Sequence, residues 1–151
     1  MFPSNNVENE EIISVKNIIS DNSKIYKTPD FNFEKKHIIL KNGDINMIDD
    51  YQNVRNWIIL FLRTPRGIYK IYEGTPFGTS LYLIRGHKSI TGMEYAQIKS
   101  EIENGFKLNP NIKRVADVQL YRRDKALGVY VKCQLIDGYI LEEKTEIFNI
   151  K

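Results

Sequence analysis

The side chains able to hold a soft metal are His37, His87 and Cys133, and each stands alone in its stretch of sequence. A structural zinc site takes its ligands in pairs, at C-x-x-C or H-x3-H spacing, because two donors from one turn fix half of a tetrahedron. No such pair occurs, so these read as two ordinary histidines and a core cysteine. Nucleophilic catalysis needs a base beside the nucleophile and a group that orients the base. Neither a G-x-S-x-G elbow nor a Gly-rich phosphate fingerprint is present. Pro29-Asp30 followed by Glu34-Lys35-Lys36 has the residue types of a metal-dependent nuclease, but they crowd into one segment instead of arriving from separate strands. Among 19 acids a pair for sugar cleavage can always be found. A glycosidase, however, needs two carboxylates facing across a cleft, one with a raised pKa. These acids fall in the N-terminal stretch, on polar helix faces and on the last strand, where solvated carboxylates belong. The expectation is no catalytic residue, no metal ligand and no cofactor.

Cations mark two further places. Arg122-Arg123-Asp124-Lys125 has the charge to touch phosphate, although solubilising a hairpin tip is the simpler role. The segment from Leu62 to Gly78 crowds Arg63, Arg66 and Lys70 around Thr64-Pro65 and then runs into a Pro76-Phe77-Gly78 loop. Arginine is the side chain best shaped to grip a carboxylate or carbonyl in a fixed fork, so this turn is the strongest candidate for a contact with something else.

The elements that must position these residues can be read from periodicity. Asn42-Gly43 between two apolar runs is the composition of a tight hairpin turn. Val54, Trp57, Ile58, Phe61 and Leu62 recur at helical spacing and form one apolar stripe, Trp57 included as core. Asp49 with Gln52 resembles a capping box for that helix, and Pro65 with Gly67 stops it. Ile68 to Tyr72 reads as a strand. Thr91 with Glu94 is a second capping box, opening a helix with Tyr95, Ile98, Ile102 and Phe106 on one side. Its other face, Gln97, Lys99, Ser100, Glu101 and Glu103, is expected in solvent. Three β-rich runs follow, Ile112 to Tyr121, Ala126 to Leu135 and Tyr139 to Ile150, with turns at Asp124 and Asp137-Gly138. They predict an antiparallel meander whose middle strand buries Val129, Val131, Cys133 and Leu135. The last strand carries Glu142, Glu143, Lys144 and Glu146 and is expected at a sheet edge.

At 151 residues and 42% apolar content the chain has room for one α+β domain. We place that domain at residues 31–151, behind an N-terminal arm of residues 1–30. The arm holds Glu8, Glu10, Glu11, Asp21 and Asp30 against Lys16, Lys24 and Lys27, opposite in sign to the rest. A short strand or helix at Ile12 to Ile19 is expected there, ordered mainly by contacts with something else. The longest uncharged apolar stretch is Trp57 to Leu62, far short of a membrane span. The N-terminus reads as no secretory signal, and one cysteine excludes an internal disulfide and suits a reducing cytosol. A net charge of +3 with both signs interspersed does not indicate a nucleic-acid partner.

An apolar helix ending in Leu62-Arg63-Thr64, a Pro65-Arg66 turn, an Ile-Tyr segment and a loop ending in Phe77-Gly78 come in that order. A second helix, the run Ile112 to Val118 and a β-meander follow. Over roughly residues 31 to 150 this order resembles the sheath-initiator family of contractile phage tails, in the form common in Gram-positive phages and phage-tail-like bacteriocins. These baseplate-wedge proteins were once taken for tail lysozymes. The resemblance implies an antiparallel or mixed sheet with two main helices, similar to the interlocking domain of the tail sheath protein. It implies a structural subunit that docks on the baseplate wedge and nucleates the sheath by strand sharing. Its partners would be the tail sheath protein, the wedge proteins and tube or hub proteins, with several copies in a symmetric ring and neither nucleic acid nor membrane. Its place would be the host bacterial cytoplasm during assembly and then the baseplate of the particle. Docking would fall to Thr64, Pro65 and Arg66. The family's turn carries an acid beside the arginine, as Glu-Pro-Arg or Thr-Glu-Arg; here Arg66 matches and the acid is missing. Strand addition would fall to the last strand, at Tyr139, Leu141, Glu143, Thr145 and Ile147. Two other readings stay open: a peptidoglycan glycosidase, which requires paired buried carboxylates in a cleft, and a DNA-binding accessory protein, which requires a contiguous basic face.

Overall fold

The computed structural model of the chain describes residues 28–48 and 50–148, and its largest sheet is the C-terminal meander. Strands β7 (Ile112–Arg123), β8 (Ala126–Leu135) and β9 (Ile140–Phe148) pair antiparallel in the order β7-β8-β9. The turns lie at the expected residues. Asp124 takes a left-handed conformation at φ 53°, as does Gly138 at 89°. Asp137 stabilises its turn by accepting the Tyr139 N–H through its carboxylate. Val129, Val131, Cys133 and Leu135 are buried, as the alternation of β8 predicts. The partners shift register between Ile112 and Arg114 and again between Val115 and Asp117, so β7 carries extra residues at Lys113 and Ala116. Such bulges bend an edge strand and interrupt its ladder.

Two long helices cover the face of the sheet that carries these side chains, which makes the architecture α+β. Helix α1 (Asp50–Arg63) buries Val54, Ile58, Phe61 and Leu62, each worth about 1.5–3 kcal/mol by removal from water. Asp49, expected to cap it, lies outside the described residues. Trp57 departs from expectation because it is only half-buried: it stacks on Phe61 and meets Phe77 and Phe106 edge-on, with its other side left toward a cleft. A short helix α2 (Leu81–Ile84) precedes helix α3 (Gly92–Phe106), which opens with both halves of the capping box. Thr91 Oγ1 accepts the Glu94 N–H, and the Glu94 carboxylate accepts the Thr91 N–H. Ile98, Ile102 and Phe106 are buried, and Gly105 lets the Phe61 ring lie against the helix backbone.

Two segments differ from the sequence reading. Ile68 to Tyr72 is not a strand. It is a loop with a 3-10 turn at Lys70–Tyr72, and Ile68, Tyr69 and Ile71 are exposed. A strand needs a neighbour to satisfy its backbone, and here the chain between Pro65 and Phe77 turns back on itself instead. Residues 28–48 form short antiparallel ladders: β1 (Thr28–Pro29) with β6 (Met47–Ile48), β2 (Phe31–Asn32) with β3 (His37–Ile38), and β4 (Leu40–Lys41) with β5 (Asp44–Ile45). The Asn42-Gly43 turn has both residues at positive φ, 54° and 85°, as a type I′ hairpin requires. None of residues 28–48 is buried, and this small meander sits on α1 through polar contacts such as Thr28 to Asn53. The expected arm, residues 1–30, otherwise lies outside the described residues, as does Ile12 to Ile19.

Candidate functional site

The Pro-Arg turn is held more firmly than a helix stop requires. Thr64 is buried, and its hydroxyl donates to the Leu60 carbonyl at 2.6 Å, closing the last turn of α1. The chain then loops out and returns alongside itself: Arg66 N–H donates to the Thr79 carbonyl and Thr79 N–H to the Thr64 carbonyl, each at 3.0 Å. This parallel bridge between Pro65 and Thr79 ties both ends of the loop. Gly78 is needed there, because at φ 100° a side chain would run into the Thr64 carbonyl oxygen and the Arg66 backbone. Within the loop Tyr72 stacks on Phe77, with ring centroids 4.4 Å apart. Of the three residues expected to dock, Pro65 and Arg66 reach the surface and Thr64 does not.

An acid from α3 stands near Arg66. Glu101, expected on the solvent face, is 7% exposed. One of its oxygens accepts the Ser80 N–H at 2.7 Å, and the other accepts the Ser80 hydroxyl at 2.7 Å and the Gln97 amide at 3.3 Å. Arg66 Nη1 stands 3.9 Å from that second oxygen. The helix period assigns Glu101 to the polar face correctly. Glu101 alone of that face is buried, because the returning loop, from Thr79 to Ser80, packs on it.

The last strand is the second candidate. Leu135 N–H donates to the Tyr139 carbonyl, and from that pair the antiparallel ladder alternates. The backbone groups of Leu141, Glu143, Thr145 and Ile147 therefore point to β8, and those of Ile140, Glu142, Lys144 and Glu146 point away from it. The Glu142 carbonyl agrees, since it accepts from Arg55 Nη1 at 3.2 Å on the open side. The odd-numbered residues contribute side chains toward α1: Glu143 pairs with Arg55 at 3.0 Å, and Thr145 accepts from Arg63 Nε at 3.1 Å. Tyr139 stacks on Tyr51, whose hydroxyl donates to Asp137 and, as the main cause, lowers that carboxyl's pKa. Sequence periodicity selects the buried-face residues of β9. It does not select those whose backbone is open. A groove of about 750 Å³ lies at the C-terminal half of β9, lined by Phe33 and Glu34, by Arg63 of α1 and Tyr121 of β7, and by Lys144 and Glu146. Arg63 bridges it, donating to the Phe33 carbonyl at 3.3 Å as well as to Thr145.

The remaining candidates are absorbed by structure. Arg122 is not a free tip: it donates to the carbonyls of Arg85 and Ile84 at 2.6 and 2.9 Å, capping the end of α2. Cys133 is buried, and that burial pushes its thiol up to about 11, the wrong direction for a nucleophile or metal ligand. No group of three or more potential metal ligands occurs among the described residues, and no described helix is long and apolar enough to cross a membrane.

The geometry can be set beside known proteins. The sequence profile of the contractile injection system sheath initiators matches residues 27–138, ending in the turn before β9. No curated protein matches the chain. Among solved structures, the chain is similar to a Geobacter sulfurreducens protein assigned provisionally as a tail lysozyme. The TM-score is 0.51 at 15% identity, over 76% of this chain and 98% of that one. At that identity the likeness concerns the fold alone. The profile spans well over half of the sequence, including both long helices and the Pro65-Arg66 turn, and the chain belongs to the contractile injection system sheath-initiator family.

Proposed function

We propose that the chain is a structural, non-enzymatic baseplate subunit of a contractile tail or injection particle. It docks on the baseplate wedge through Pro65 and Arg66, and it starts the sheath by accepting a strand of the tail sheath protein along the outer edge of β9. Several copies in a ring around the tube, assembled in the host bacterial cytoplasm, would each offer one such edge, with tube or hub proteins as further neighbours.

The observation that carries this reading is the contrast between the two edges of the sheet. An unpaired strand either is protected or invites another strand. Strand β7 is protected over its first half: bulges at Lys113 and Ala116 interrupt its ladder, and the Tyr95 hydroxyl occupies the outward Val118 carbonyl at 2.7 Å. Strand β9 is regular over all nine residues. Arg55 occupies its Glu142 carbonyl, but its Lys144 and Glu146 backbone groups face outward beside the groove that Arg63 bridges. The non-enzymatic reading is supported by Glu101, the buried carboxylate among the described residues. None of its contacts is a second carboxylate, so the acid pair of a glycosidase is not assembled around it.

The test is a proline at Lys144, which removes an outward N–H and leaves the ladder to β8 intact. Particles carrying Lys144→Pro should form tubes and baseplates containing the protein but no sheath. Thr145→Pro is the contrast, since it deletes a donor inside the meander and should prevent folding. Full-length sheaths on Lys144→Pro baseplates would rule out this edge as the nucleating surface.

A further inference from the structure

The polar cluster around Glu101 has a form that a purely structural ion pair does not need. Its carboxylate accepts from Ser80 N–H, Ser80 Oγ and Gln97 Nε2, all neutral donors. Neutral donors satisfy the oxygens without cancelling the charge. Among the described residues, the cation within 4 Å of that charge is Arg66. The separation of 3.9 Å is too long for a hydrogen bond but close enough for attraction, with only the Glu101 end of the pair shielded from water. Arg66 is thus oriented while its donors stay unspent. Its backbone is fixed by the bond from its own N–H to the Thr79 carbonyl, and its side chain is 38% exposed against 9% for Glu101. Glu101 is too deep to meet a partner itself. A guanidinium aimed from behind by a buried carboxylate, on a clamped backbone, is presented to a planar acceptor in front.

We infer that Glu101 is a positioning residue, holding the Arg66 fork toward a carboxylate on the wedge protein. This rests on the reading of Arg66 as the docking residue. Docking should therefore depend on Glu101 only through Arg66. A residue that merely stabilises the fold would act whether or not Arg66 is present.

The experiment is a double-mutant cycle on the full chain, expressed in competition with tagged wild-type protein and read as the ratio incorporated into baseplates. Glu101→Gln keeps the shape and removes the charge. It should lower incorporation by about tenfold. Arg66→Ala should lower it at least as far, and the double variant should incorporate no worse than Arg66→Ala alone. If the Glu101→Gln loss recurs in full on the Arg66→Ala background, Glu101 is only structural and the inference is overturned. Normal incorporation of Arg66→Ala would instead overturn the docking reading itself. Should Glu101→Gln fail to fold, Ser80→Ala supplies the same cycle. It removes one donor from the carboxylate while the Ser80 N–H remains. A loss of about two- to fivefold confined to chains that retain Arg66 is expected, and an equal loss without Arg66 overturns the inference.

Discussion

Two glycines in one helix should respond to the same substitution with opposite sign. Gly105 lies in the last turn of α3 and Gly92 in the first, and neither has a positive φ. On helix propensity alone, alanine is better than glycine in a helix interior by about 1 kcal/mol. At Gly92 a Cβ meets nothing within 4 Å, so Gly92→Ala should be neutral or stabilise by up to about 1 kcal/mol. At Gly105 the Cβ would overlap the Cζ and Cε2 atoms of Phe61 and approach the Pro76 carbonyl oxygen to 3.0 Å. The Phe61 ring has nowhere to retreat: it is 0% exposed, with Trp57, Phe77 and Phe106 centred 5.5, 5.2 and 5.3 Å away. Overpacking of this kind costs about 1–3 kcal/mol, occasionally more. Set against the propensity gain, Gly105→Ala should lose up to about 2 kcal/mol and lower Tm by up to about 8 °C. Urea unfolding followed by the fluorescence of the single tryptophan measures both variants. Phe61→Leu should relieve part of the Gly105→Ala loss, because the two sites are in contact. Equal stabilities of Gly105→Ala and Gly92→Ala, or strict additivity with Phe61→Leu, would refute the packing argument.

Trp57→Ala should cost about 2–3 kcal/mol in the same assay, below the range of a fully enclosed aromatic, because one side of the ring faces the cleft; a loss above about 4 would mean that the cleft closes over it. Arg122→Ala should cost about 1.5–3 kcal/mol by leaving the Ile84 and Arg85 carbonyls without their charged donor, and a neutral result would make Arg122 a solvated tip after all. The Cys133 thiol should react with a disulfide reagent only as fast as the protein unfolds. Its folded value of about 11 exceeds the unfolded value of about 8.5, so its contribution to stability is complete below about pH 8.5 and is lost as pH rises through 11. Purified protein should release no sugar from peptidoglycan; a rate that survives repurification and vanishes in Glu101→Gln would overturn the non-enzymatic reading.

What could be read from sequence were features decided within a few residues. Asn42-Gly43, Thr91 with Glu94, and Asp137-Gly138 each specify their own backbone geometry, and all three are found as expected. The apolar stripe of α1 and the alternation of β8 are nearly as local, since each is a pattern of one element. Features decided by distant partners were not legible. Ile68 to Tyr72 has strand-forming residues but no neighbour to pair with. Glu101 sits on the polar side of its helix by period, and only the return of Thr79 and Ser80 buries it. Arg122 looks solvated until Ile84 and Arg85 arrive from far along the chain. The same division runs through the candidate site. Arg66 is conspicuous on its rigid turn, whereas its carboxylate comes from 35 residues away. In β9 the composition marks an edge, but which residues hold open backbone groups depends on the phase of the ladder, which the hairpin fixes at Leu135 and Tyr139.

The unequal edges of the meander bear on how this chain behaves among copies of itself. A sheet open on both sides is a monomer in the polymer chemist's sense: each addition exposes a fresh end, and growth has no natural stop. With β7 bulged near its start and its Val118 carbonyl taken by Tyr95, the proposed strand acceptance at β9 would make the chain monofunctional. Two copies meeting β9 to β9 would consume both receptive edges and terminate at a pair. On the proposed reading, a crowded pool of free subunits would be kept from stacking into fibres.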